Sequence, residues 1–77
     1  MSTNPDQIVT LLSKWLGGHL PTDELRRRID EIGTAGLAAG PAEAVDELRQ
    51  ELAQAQNAER GHLEMVARET LEAVALG

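Results

Sequence analysis

Two histidines, two serines, an arginine triplet and a ladder of glutamates are the side chains that could do chemistry here, and their spacing decides what each can do. His19 and His62 each lie beside a glycine at an expected helix end. To hold a metal they would have to converge across the fold with a carboxylate such as Glu64, because no spacing like His-Glu-x-x-His places two ligands on one helical face. Solvated histidines are the expectation. Ser2 falls in residues 1–4, expected to fray, and Ser13 on the polar side of a helix. Neither stands in the Gly-x-Ser-x-Gly turn that exposes a nucleophile. Glu43, Glu47 and Glu51 follow one another at i,i+4 on a polar face, where they repel and stay ionised; a general acid needs burial to raise its pKa. With no cysteine, thiolate chemistry, disulfides and Cys-ligated zinc are excluded. No catalytic, cofactor-binding or metal residue is expected.

Arg26-Arg27-Arg28 is the only basic cluster. Successive helical residues turn by about 100°, so the triplet wraps the polar face instead of forming a stripe. Asp23, Glu24, Asp30 and Glu31 surround it at pairing distances, which predicts a salt-bridged, solvated surface. The rival is a patch that contacts an anion or an acidic partner. The net charge of -6 repels phosphates and anionic lipid surfaces, so neither nucleic acid nor a membrane is an expected partner. Residues 1–7 have no basic signal-peptide start and no apolar run reaches spanning length, which makes the cytoplasm the expected compartment.

The elements that would position these groups are helices. Asn4 suits an N-cap, Pro5 the first helical position and Asp6 the first turn. Ile8, Leu11, Leu12, Trp15 and Leu16 then share a face up to Gly17-Gly18, giving a first helix over 5–17. Thr22 is placed to cap a second, with Leu25, Ile29 and Ile32 as its apolar face and Gly33 as its stop. Residues 34–40 read as a flexible Ala/Gly loop tacked to the core by Leu37. Gly40-Pro41 opens a third helix whose Val45, Leu48 and Leu52, continued by Ala55, make a narrow stripe like a coiled-coil seam. Asn57 and Gly61 bracket a break, with Arg60 in the last turn before it. A fourth helix over 62–76 carries Leu63, Val66, Ala67, Thr70, Leu71 and Val74 on one side.

No segment alternates as a strand would, so the chain is all-α, a small antiparallel bundle of four helices within one domain, 1–77. The alternative is two short helices and one long helix that forms a dimeric coiled coil. Ala58-Glu59-Arg60 are good helix formers, and a lone glycine costs only about 1 kcal/mol in a helix interior.

The stretch from Gly36-Leu37 to Ala44-Val45-Asp46-Glu47-Leu48 resembles, superficially, part of an acyl carrier protein. Such carriers need a serine at the start of the second helix for the phosphopantetheine arm. Ala38-Ala39-Gly40-Pro41 supplies none, so the carrier function is not expected and no family is assigned.

What remains is contact. Trp15, the only aromatic, is either core filler or a partner anchor. Met65 and Leu76 fall opposite the apolar face of the fourth helix, where they are exposed or covered by a second surface. With the Val45, Leu48 and Leu52 seam, these are the candidate partner contacts. A core this small leaves little stability to spare, which favours burying more surface against another chain. The leading expectation is a non-enzymatic helical interaction module, a homodimer or a binder of another protein, acting as an accessory or scaffold. The alternative is an acidic inhibitor, antitoxin-like or immunity-like, masking a basic site.

Overall fold

A computed structural model describes residues 3–54 and 60–76. Within them α1 spans Asn4–Leu16, α2 Thr22–Ile32, α3 Ala39–Gln54 and α4 Arg60–Leu76. No strand occurs among the described residues.

Each helix begins and ends for a local reason. The α1 cap is Thr3, one residue earlier than the expected Asn4: its backbone is extended and its Oγ1 accepts from the Asp6 N–H at 3.3 Å. Asn4, freed from capping, donates from Nδ2 to the Ala35 carbonyl at 3.0 Å and ties the start of α1 to the α2–α3 connection. At the other end the Gly18 N–H donates to the Trp15 carbonyl at 3.0 Å and the His19 N–H to the Lys14 carbonyl at 2.8 Å. This pair is a Schellman cap, and it requires a left-handed residue at Gly18, whose φ is 79°. Gly33 ends α2 as expected, with φ 68° and its N–H on the Ile29 carbonyl. Helix α3 starts two residues before Pro41, because a proline within the first turn gives up only an N–H that has no helical partner anyway.

Two expectations are corrected at α2 and α4. Thr22 is not a cap, since Pro21 holds that position without a side-chain bond. Arg60 opens α4 instead of closing α3, and Gly61 lies inside α4. Ala55, Asn57 and Glu59 lie outside the described residues, as do residues 1 and 2. The single long helix is overturned by packing. Glu51 Oε2 lies 3.1 Å from His62 Nε2, and the Thr70 hydroxyl reaches the Ala44 carbonyl at 3.3 Å. Pairs that close while sequence separation grows mean that α4 runs back antiparallel along α3. In one helix, residues 51 and 62 would stand about 16 Å apart.

Helices consecutive in sequence pack against each other and α1 closes the ring on α4, while the backbones of the diagonal pairs stay more than 8 Å apart at every Cα. The core between them holds Ile8, Leu12, Trp15, Leu25, Ile29, Val45, Leu48, Leu52, Leu63, Val66, Ala67 and Val74. Leu37 packs against it from the connection, as its lone large side chain predicts. Thr70 is the buried polar member, and its hydroxyl donates back to the Val66 carbonyl at 2.8 Å. No buried side-chain nitrogen or oxygen among the described residues lacks a partner. No described helix is long and apolar enough to cross a membrane.

Candidate functional site

The side chains singled out from the sequence separate into an inner and an outer set. Trp15, Val45 and Leu48 have no exposed surface and Leu52 only 4%. The narrow α3 stripe is thus covered by the protomer's own helices. Met65 and Leu76 do face outward, at 53% and 87% exposure, and they are the large apolar residues so placed among those described.

Trp15 is held by both neighbours of α1. Its indole N–H donates to Thr22 Oγ1 at 2.9 Å, which explains a threonine at the start of α2 that does no capping. Arg60 of α4 lies over the ring, with its guanidinium carbon 4.4 Å from the centroid, and donates from Nη2 to the Trp15 carbonyl at 3.0 Å. One cation therefore sits on an aromatic face and beside the negative end of the α1 dipole. Glu64 Oε2 holds the same guanidinium at Nε, 3.0 Å away. Sequence reasoning missed this role, because a contact between residues 45 apart leaves no local signal. Arg60→Ala is expected to cost about 1–2 kcal/mol, with Arg60→Lys in between because an ammonium keeps the charge and loses the planar fork. Urea unfolding followed by circular dichroism measures both, and equal stability of all three proteins would refute the clamp.

The arginine triplet behaves as a solvated face. Glu24 Oε1 accepts from Arg27 Nη2 at 3.1 Å and from Arg28 Nη2 at 3.2 Å. Chiefly through the Arg28 hydrogen bond, against some desolvation and with help from the charges of Arg27 and Arg28, the Glu24 carboxyl is held below the usual glutamate range. A depressed acid stabilises the fold above its unfolded pKa, and the contribution vanishes as pH falls through the folded value. A side-chain carbon NMR titration should therefore find Glu24 titrating below an unstructured glutamate, and Arg28→Ala should return it toward the ordinary value. Arg49 bridges Asp30 of α2 at 3.0 Å and Asp46 of its own helix at 3.4 Å, so this face is paired as well.

The chain matches no family model, curated protein or solved structure.

His19 is exposed beside the α1 cap, and His62 is engaged with Glu51 across the α3–α4 groove. No group of three or more side chains of metal-binding type gathers among the described residues. Ser13 is exposed on α1. Among the described residues, concavities with apolar lining open on two sides of the bundle. A shallow groove of about 220 Å³ between α3 and α4 is lined by Ala44, Val66, Thr70 and Ala73 with Glu47 and Glu69. A wider cleft of about 630 Å³ between α1 and α2 has Leu11 and Ile32 among polar side chains including Asn4, Thr10 and Glu31.

Proposed function

We propose that this protein is a non-enzymatic helical interaction module that associates with itself through the outer side of α4. The observation that carries the reading is the contrast between α3 and α4. The α3 stripe is consumed inside the protomer, while α4 exposes Met65 and Leu76 on the side turned from the core. Eleven residues apart, they differ by only about 20° in azimuth, so one flat surface can cover both. Light scattering or sedimentation from about 1 mM down to low micromolar concentration tests it. A reversible shift from dimer to monomer is the expected result, and a monomer throughout would overturn self-association.

A second reading has its own support. Glu43, Glu47, Glu69 and Glu72 make no ion pair among the described residues, and two of them flank the α3–α4 groove. In this reading the acidic face masks a basic protein site, as an inhibitor would. A lysine- and arginine-rich helical peptide should then bind at low salt and dissociate steeply as salt rises. Absence of binding at low ionic strength would remove it.

A further inference from the structure

The outward side of α4 is an ordered seam. Gly61, Met65, Arg68, Glu72 and Ala75 follow at steps of four, three, four and three, with Leu76 beside the last, and all are exposed. That is the spacing by which one helix meets another along its length. The buried residues Leu63, Val66, Ala67, Thr70 and Val74 occupy the opposite side. Arg68 at the middle of the seam has no ion-pair partner among the described residues. Glu64, one turn earlier, is taken by Arg60. Glu72, one turn later, stands C-terminal to its base, the weaker order for an i,i+4 pair.

We infer that two copies of this chain pair their α4 helices antiparallel about a two-fold axis at the level of residue 70. The inference rests on the self-association reading above and specifies its register. A two-fold at that level brings each position opposite the one that sums with it to 140. Arg68 then meets Glu72 of the second copy, Glu72 meets its Arg68, and Met65 packs on Ala75 and Leu76 at either end. The same patch is complementary to itself, as an isologous interface demands. A parallel pairing would set Arg68 on Arg68 and Glu72 on Glu72. A helix of this length offers a strip about 25 Å long, a small interface that calls for measurement at concentrations up to about 1 mM. Both copies are acidic overall, and about 0.15 M salt screens that long-range repulsion while leaving pairs in contact.

Charge exchange tests the register. Both positions are exposed, so Arg68→Glu and Glu72→Arg should keep wild-type helicity by circular dichroism. Each single variant turns two attractive pairs into two repulsive ones and should weaken association by about fivefold to tenfold. An equimolar mixture of the two variants places two acids against two bases, and it should associate as the wild type does. The double variant R68E/E72R should recover part of that association, because an acid at 68 four residues before a base at 72 is the favoured order within one helix and competes with the pair across the dimer. Single variants that associate normally, or a mixture and double variant that do not recover, would overturn this register while wild-type self-association still stands. A wild-type protein that stays monomeric at 1 mM would sink the self-association reading itself, and the register with it.

Discussion

Trp15→Ala should remove most of this protein's stability. The side chain is the largest in the core and has no exposed surface, and truncating a buried aromatic residue of this size costs about 3–5 kcal/mol. A core in a chain of this length rarely supplies more than about 3–5 kcal/mol, so the loss is comparable with the whole stability. Trp15→Phe separates volume from polarity. It keeps most of the apolar contact and removes the N–H that donates to Thr22, for an expected loss of about 1–2 kcal/mol. Urea unfolding by far-UV circular dichroism reads all three proteins, since fluorescence disappears with the tryptophan. An alanine variant with the wild-type midpoint would mean that Trp15 is not packed as described.

Leu48→Ala is the second large effect and tells an inner seam from an intermolecular one. Leu48 has no exposed surface within a single protomer, so its truncation should cost about 2–5 kcal/mol at any protein concentration. Had the α3 stripe been a dimer seam, the substitution would instead weaken association and spare the monomer. Met65→Ala is the matched control: half exposed, it should change stability by less than about 0.5 kcal/mol. An unfolding midpoint of Leu48→Ala equal to that of Met65→Ala would contradict the packing.

The helices were legible because apolar residues at steps of three and four, closed by glycines in α1 and α2, are a local signal that tertiary contacts amplify. Ile8, Leu12 and Trp15, or Leu63, Val66 and Val74, could be assigned to buried faces before any fold was known. Caps were less legible where two candidates adjoin. Thr3 and Asn4 can both accept an N–H, and the choice is made by the Ala35 carbonyl, which lies 31 residues away and takes the Asn4 amide. Thr22 shows the same limit, as its hydroxyl serves an indole instead of its own helix. The narrowness of the α3 stripe suggested a partner chain, yet the cover is α2 and α4 of the same chain. A stripe records that it must be covered and carries no label for what covers it. Arg60 was invisible as a clamp, because its ring contact and its bond to the Trp15 carbonyl depend on where α4 begins and how it docks on α1.

The ring order of the helices also has a kinetic consequence. Three of the four helix contacts join neighbours in sequence, so each requires closure of only a short connection, at small entropic cost. The docking of α1 on α4 brings together distant parts of the chain and carries the largest loop-closure cost in a topology otherwise made of local contacts. Trp15 stands on both sides of that division, bonded to Thr22 across a local turn and covered by Arg60 only once the ring has closed. A single indole thus marks the order of events. In stopped-flow refolding, its entry into the α1–α2 hairpin should come first, and the arrival of the guanidinium should mark the last step.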